Sequence, residues 1–330
     1  MSAIVSEKWI WIFEFWRDRL EMLRVQYRRY GGPEVMELAE VKQIEPGHNQ
    51  IRVKVKAASA NPVDWKIRNG IAQVMTGWKF PRGIGMDFAG TVEAVGSDVT
   101  QFKAGDEVFG AMEMRDCATF ADSIVTGIKS TALKPQSLSF ENAAALPVVG
   151  ATAWIGLIEK AKLKSGQSIF VAGCMGGVGR AVVQIARSFG ANVTGSCSAN
   201  NFEDARTLGV STVVDYHNFD AGNFRGKFDV VYDTHGGMSL KQCRDILNAS
   251  GVVIHITPNM FAMLAILLSA KHQLVFGQPT PEILQKISTL AVDGRLIPAI
   301  GKVVGLREAI PALTELEKSG SPKGKLIIAP

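Results

Sequence analysis

The spacing of apolar residues changes character twice along the chain. From Leu23 to about Ala121 apolar and polar positions alternate in short runs, as in Ile51-Arg52-Val53-Lys54-Val55-Lys56. Turn residues such as Gly31-Gly32-Pro33, Glu45-Pro46-Gly47 and Ala104-Gly105-Asp106 separate the runs. A period of two with Gly and Pro between segments predicts a β-rich domain. From about Glu141, short apolar strands (168–172, 192–196, 213–215, 229–232, 251–256 and 273–276) alternate with helical periodicity, clearest over 178–189 and 202–208. This succession predicts a doubly wound parallel sheet with helices on both faces. After Gly294 the pattern predicts a strand (299–304), a helix (306–318) and a last strand (325–329). We assign this tail back to the first domain.

The expected fold class is therefore α/β in two domains. The β-rich domain takes 23–147 and 296–330, and the parallel-sheet domain takes 148–295. Residues 1–22 read as an N-terminal extension in which Trp9, Ile12, Phe13, Trp16 and Leu20 share one helical stripe. That stripe fits an appendage packed on the body, an upstream start before Met22, or a surface helix for a membrane or partner.

Composition narrows the function classes. A chain of 330 residues with 47% hydrophobic and 20% charged residues is long enough for two cores and far from disordered or fibrous compositions. The 36 Lys+Arg against 31 Asp+Glu leave a net charge of +5, scattered along the chain. The densest cluster, Arg24, Arg28 and Arg29, reads as a solvated face, so no nucleic-acid partner is expected. Cys117, Cys174, Cys197 and Cys243 form no C-x-x-C pair and read as reduced thiols. No apolar run reaches the ~20 residues of a membrane helix, and the head lacks a signal-peptide pattern. The expected location is cytoplasmic, with membrane contact expected only at a surface through 1–22.

The strongest chemical signal is the apolar strand ending at Ala172, followed by Gly173-Cys174-Met175-Gly176-Gly177-Val178-Gly179 and the periodic helix after it. Strand, glycine turn and helix occur in the order that dinucleotide binding requires. Bare N–H groups at a helix N-terminus satisfy a diphosphate, and glycines let the backbone approach it. Gly176 and Gly179 match the second and third glycines of G-x-G-x-x-G; Cys174 stands where the first belongs, with Gly173 beside it. Gly173, Gly176, Gly177, Val178 and Gly179 are thus cofactor-binding candidates. An NAD enzyme usually carries an acid near the end of the second strand. Here Thr194-Gly195-Ser196-Cys197-Ser198-Ala199-Asn200-Asn201 has none. Ser196, Ser198 and Asn201 can donate to a 2′-phosphate that a carboxylate would repel, which favours NADP(H), with Arg180 and Arg206 the nearest cations.

Several segments together resemble a family. These are Tyr30-Gly-Gly-Pro-Glu-Val35, Ala60-Asn-Pro-Val-Asp-Trp-Lys-Ile-Arg-Asn-Gly70, Gly85-Met-Asp-Phe-Ala-Gly-Thr-Val-Glu-Ala-Val-Gly96 and Gly105-Asp-Glu-Val-Phe-Gly110. Ala145-Leu-Pro147 with Thr152-Ala-Trp154, the glycine turn, Val213-Val-Asp-Tyr216 and Lys323-Gly-Lys325 continue the series. From about Leu23 to Pro330 the chain resembles the medium-chain dehydrogenase/reductase superfamily, in its zinc-free quinone oxidoreductase (zeta-crystallin-like) branch. The resemblance implies a GroES-like catalytic domain built from both ends of the chain, a Rossmann domain, and an active site in the cleft between. Zinc enzymes of the superfamily have Gly-His-Glu where this chain has Gly85-Met86-Asp87, and a ligand Cys where it has Asn61. His48, His217, His235, His255 and His272 show no ligand spacing either, so no metal is expected.

Without a Lewis acid, a hydride acceptor must spread its own developing charge, as quinones and conjugated enones do. The expected reaction is hydride transfer from NADPH to such a small molecule. Asn61, as a donor to a carbonyl oxygen or the nicotinamide, and Thr152, where the family contacts the cofactor, are the catalytic candidates. An Asn before Pro also suits a turn, and a Thr at a helix start also suits a cap. Asp64 and Lys66 read as an ion pair or a catalytic couple, and Trp65 and Trp78 as cleft lining or packing. Tyr216, after the third strand, is a candidate to lie against the adenine, and His235, in the turn after the fourth, is a candidate at the ribose. An enoyl-thioester reductase and a cofactor-loaded binding protein without turnover are the competing functions. A homodimer is expected through 261–268 and 273–276, residues that also suit an ordinary core.

Overall fold

The computed structural model describes residues 21–71, 73–256, 263, 266, 268–320 and 323–330. The aromatic stripe of the extension lies outside them. Glu21 and Met22, which the sequence pattern gave to the extension, pair with Lys42 and Val41 and open the first strand.

In chain order the strands of the first part are β1 (Glu21–Tyr27), β2 (Met36–Lys42), β3 (Gln50–Ser59), β4 (Arg82–Gly83), β5 (Asp87–Val95), β6 (Glu107–Ala111), β7 (Ser123–Gly127) and β8 (Thr131–Leu133). Two helices interrupt them, α1 (Pro62–Arg68) and the single turn α2 (Gln73–Thr76). Next come α3 (Phe140–Ala144), α4 (Pro147–Trp154), β9 (Ser168–Ala172), α5 (Gly177–Ser188), β10 (Asn192–Cys197), α6 (Phe202–Leu208), β11 (Thr212–Asp215) and β12 (Phe228–Asp233). The rest is α7 (Leu240–Ile246), β13 (Leu247–His255), β14 (His272–Leu274), α8 (Pro281–Val292), β15 (Ile300–Gly305), α9 (Ala309–Ser319) and β16 (Lys325–Ala329).

The chain forms two compact units. Among the described residues, one comprises those of 21–134 with 300–320 and 326–330; the other comprises those of 135–299 with 323–325. In the first unit a small sheet runs β2-β1-β4, and a seven-stranded sheet runs β15-β16-β3-β5-β6-β8, with β7 also paired to β3. The alternation of the sequence is visible in β3, where Ile51, Val53 and Val55 are buried while Lys54 and Lys56 face water. These side chains meet Phe88, Val108 and Phe120 in a core that α9 closes with Ala309, Leu313 and Leu316.

Arg68, at the end of α1, is among the largest fully buried side chains. Its Nη2 donates to Glu317 of α9 at 2.6 Å and its Nε to the Gly31 carbonyl at 3.1 Å. A guanidinium in such a place needs its partner, because removing one member leaves an uncompensated buried charge.

The second unit is a six-stranded parallel sheet in the order β11-β10-β9-β12-β13-β14. In order of appearance this is third, second, first, fourth, fifth, sixth, the doubly wound order. It leaves a topological switch between β9 and β12 at the carboxyl edge. Phe170, Phe219, Phe224 and Phe228 cluster against this sheet, with ring centroids 5.0 to 6.3 Å apart.

Glu317→Ala is expected to lower unfolding free energy by about 3 kcal/mol, the lower end for a broken buried pair because Arg68 keeps the Gly31 carbonyl. Denaturant titration measures it.

Candidate active site

At the switch point the chain leaves β9 through Gly173, whose φ of +73° is the left-handed conformation glycine supplies without strain. Gly173 therefore makes the tight turn, one residue before the motif position that Cys174 fills. The Cys174 side chain is buried, and Gly195 of β10 makes room for it: a Cβ there would lie 2.8 Å from its sulfur. Burial pushes the Cys174 thiol up, away from thiolate chemistry.

Gly176 caps α5 with extended backbone, and the Gly173 carbonyl accepts its N–H at 3.1 Å. A Cβ on Gly179 would stand 2.1 Å from that same carbonyl, so only glycine lets the first helical turn lie against the strand exit. The N–H of Arg180 already returns to Gly176. The amides of Gly177, Val178 and Gly179, one turn earlier, have no helical acceptor, and together with the helix dipole they form an anion seat. Arg180 stands in this first turn with Nη1 3.9 Å from the Met175 sulfur, and its buried Nε has no hydrogen-bond partner.

Beside the turn, the buried Ser196 hydroxyl accepts the Gly173 N–H at 3.3 Å. Asn201 donates to the Ser198 hydroxyl at 2.9 Å. Tyr216 is half exposed, with its ring 4.0 Å from that of His217. Across the switch, His235 begins a turn held by Asp233. One oxygen of that buried carboxylate lies 3.4, 3.0 and 3.3 Å from the N–H groups of His235, Gly236 and Gly237. Thr234 bonds the Ala172 carbonyl at 2.6 Å, so this turn lies directly against the glycine turn.

Thr152 is the sixth residue of α4, well past the cap, and is buried. Its hydroxyl donates back to the Val148 carbonyl at 2.6 Å and keeps acceptor capacity. Gly277 packs on it so closely that a Cβ there would sit 1.8 Å from Oγ1. The Thr152 carbonyl accepts the Tyr232 hydroxyl of β12 at 2.7 Å. That phenol would collide with any Cβ on Gly156, at 2.3 Å. A side chain wedged into the helical ladder explains why α4 runs on as a π-helix over Ile155–Lys160.

In the first unit Asn61 is the N-cap of α1, and its backbone N–H bonds Asp64 at 2.7 Å. Asp64 thus serves the cap rather than Lys66. The Asn61 amide donates to Asp87 at 2.9 Å and, less closely, to the Ser59 carbonyl at 3.3 Å. The carboxylate fixes which end of the amide is nitrogen. Asn61 and Asp87 are thus bonded to each other, and Met86, next to Asp87 in sequence, is buried. Among the described residues no group of three or more His, Cys, Asp or Glu side chains is placed to hold a metal. Trp65 is half-buried, whereas Trp78 is exposed.

A second cluster was not legible in the sequence. His255 closes β13, one strand over from Asp233, and its Nε2 lies 2.9 Å from Nδ1 of His272 in β14. The two buried rings stack at 5.2 Å. Burial, with help from His255 and Arg244, depresses His272 to about 4. Only parallel neighbours in the sheet bring residues 233, 255 and 272 together, and no sequence spacing announces that.

Family models match the chain as an alcohol dehydrogenase GroES-like domain over residues 47–223 and as a zinc-binding dehydrogenase over 208–328. The chloroplast envelope quinone oxidoreductase homolog of Arabidopsis thaliana is 34% identical over 325 residues, covering 94% of this chain and 98% of its own. The chain belongs to the quinone oxidoreductase branch of the medium-chain dehydrogenase/reductase superfamily. The 2-methylene-furan-3-one reductase of Solanum lycopersicum is 33% identical, covering 94% and 79% of the two chains. The quinone oxidoreductase of Coxiella burnetii superposes with a TM-score of 0.87 at 30% identity, over 94% of this chain and 99% of that one. The Escherichia coli quinone oxidoreductase, solved in complex with NADPH, superposes at 0.79 with 25% identity, over 93% and 100%.

Gly179→Ala is expected to cost roughly 1–3 kcal/mol through overpacking, whereas Gly177→Ala, whose Cβ would meet only a Val149 methyl at 3.2 Å, is tolerated; thermal unfolding compares the two. A second expectation concerns pH. An unfolded histidine titrates near 6.5 and the folded His272 near 4, so between these values the unfolded chain binds more protons. Stability is complete above about 6.5 and declines as pH falls toward 4. Denaturant midpoints across that window should fall less steeply for His272→Gln than for the wild type.

Proposed function

We propose that this oxidoreductase uses NADPH, without zinc, to reduce quinones and α,β-unsaturated carbonyls. The observation that carries the reading is the anion seat at the switch point, where three amides of the α5 N-terminus have no helical acceptor and Arg180 stands in the same first turn. A diphosphate fits it, because backbone donors and a fixed dipole hold negative charge without a side chain in the way. Ser196, Ser198 and Asn201 at the end of β10, with no carboxylate among them, support a 2′-phosphate on the ribose. Gly173, Gly176, Gly177, Val178 and Gly179 would hold the diphosphate, with Tyr216 toward the adenine and His235 toward the second ribose.

When bound, the nicotinamide supplies a hydride, and a proton completes the reduction. The chain's contribution is orientation and exclusion of water. Thr152 keeps an acceptor lone pair for an amide hydrogen of the cofactor, and its position is set by Tyr232 behind it and Gly277 in front. The long bond from Asn61 to Ser59 is the one a substrate oxygen can replace, while the shorter bond to Asp87 keeps the amide aimed. An amide, a thioether and a hydrogen-bonded carboxylate are a poor donor set for zinc, which favours thiolate, imidazole and free carboxylate. The acceptor must then delocalise its own charge, which selects quinones and enones over simple ketones. Two relatives bear the names quinone oxidoreductase and furanone reductase, and both names fit such acceptors. The outer position of β14 in its sheet and the exposed Phe276 beside it support a homodimer formed at that edge. Residues 261, 262, 264, 265 and 267, which were also expected at that contact, lie outside the described ones.

NADPH oxidation followed with a panel of quinones, enones, saturated ketones and enoyl thioesters tests the reading. Turnover is expected with the first two, at unchanged rate after prolonged chelator treatment. Activity confined to ketones, or abolished by chelation and restored by zinc, would sink it, and preference for enoyl thioesters would move the assignment to that class.

A further inference from the structure

The mechanism above makes no use of Asp233, His255 and His272. Asp233 is 1% exposed, and a buried carboxylate requires compensation. Its Oδ1 has that in the three N–H groups of the turn 235–237. Its Oδ2 has no hydrogen-bond partner, and Nδ1 of buried His255 lies 3.7 Å from it. An imidazole nitrogen that turned a lone pair toward this oxygen would add repulsion to desolvation. A nitrogen carrying hydrogen presents the positive end of a dipole instead. That choice fixes the rest of the pair. With Nδ1 protonated, His255 Nε2 is an acceptor, and the 2.9 Å contact then requires His272 to donate from its own Nδ1.

The turn that Asp233 gathers is also the wall of the glycine turn. A Cβ on Gly173 would lie 2.8 Å from the Thr234 hydroxyl and 3.0 Å from Nδ1 of His235. A carboxylate that swung away from the turn would free three N–H groups and the segment that braces Gly173.

We propose that Asp233 is a positioning residue for the nucleotide, held in its working rotamer by the Nδ1–H tautomer of His255, which His272 fixes in turn from behind. This rests on the reading of this edge as the NADPH seat. His255 acts through Asp233, so the two substitutions must not add.

The test combines NADPH titration of the purified protein with side-chain nitrogen NMR of its histidines. In the wild type, His255 is expected as the Nδ1–H tautomer. Asp233→Ala should weaken NADPH binding about tenfold, equivalent to the loss of one or two hydrogen bonds. His255→Leu should weaken it by about threefold, and the double variant should be no weaker than Asp233→Ala. Asp233→Asn keeps an oxygen for the turn and swings an amino group toward His255. Affinity should return to within about threefold of wild type while His255 switches to the Nε2–H tautomer. Should Asp233→Ala fail to fold, that switch decides alone. Additive losses, wild-type affinity in Asp233→Ala, an Nε2–H His255 in the wild type, or an unchanged tautomer in Asp233→Asn would each overturn the proposal. A wild type that binds no NADPH defeats the nucleotide reading itself, whereas strong wild-type binding indifferent to Asp233 defeats only this inference.

Discussion

The first turn of α5 lies so near the Gly173 carbonyl that residue 179 has no space for a single methyl group. This one approach sets the direction in which the free amides of the helix point, and through it the chemistry of the whole edge. A helix set one methyl further out would aim the same dipole past the switch point. The surrounding sequence serves that approach. Gly173 supplies the left-handed turn, Gly195 makes room for Cys174, and the amphipathic face of α5 buries Val182, Val183 and Ile185.

The second organising element is the end of β12. Tyr232 and Asp233 are consecutive and therefore point to opposite faces of the sheet. The phenol reaches α4, where it widens the helix at Thr152, while the carboxylate gathers the turn that braces the glycine loop. One strand end thus sets both the hydroxyl and the turn proposed for the cofactor, and a displacement of that strand would be felt at both.

Much of this was legible in the sequence, and the reasons differ by residue. The β3 alternation and the strand, glycine turn and helix around Gly173 are local signals, so their physics is contained in a few consecutive residues. The last three elements, read as 299–304, 306–318 and 325–329, are found at Ile300–Gly305, Ala309–Ser319 and Lys325–Ala329 for the same reason. What the sequence could not yield depends on neighbours distant along the chain. The bond of Asn61 to Asp87 spans 26 positions. The wedge of Tyr232 under Thr152 spans 80. The meeting of Asp233 with His255 and His272 follows from parallel register alone. Thr152 illustrates the limit well: its residue type suited a cap, yet its helix starts five residues earlier because Pro147 is better placed to begin it.

The seven-stranded sheet of the first unit has a temporal consequence. Ser59 and Ala58 of β3 pair with Ile327 and Ile328, which are wholly buried. On the ribosome, that stretch of strand emerges some 270 residues before its partner, an interval spanned by the entire second unit. Until β16 has been made, the nascent sheet carries an open apolar edge of the kind that recruits stray strands. A product truncated before β16 would keep that edge for good, which makes β16 the latch of a unit whose first strands are made long before it.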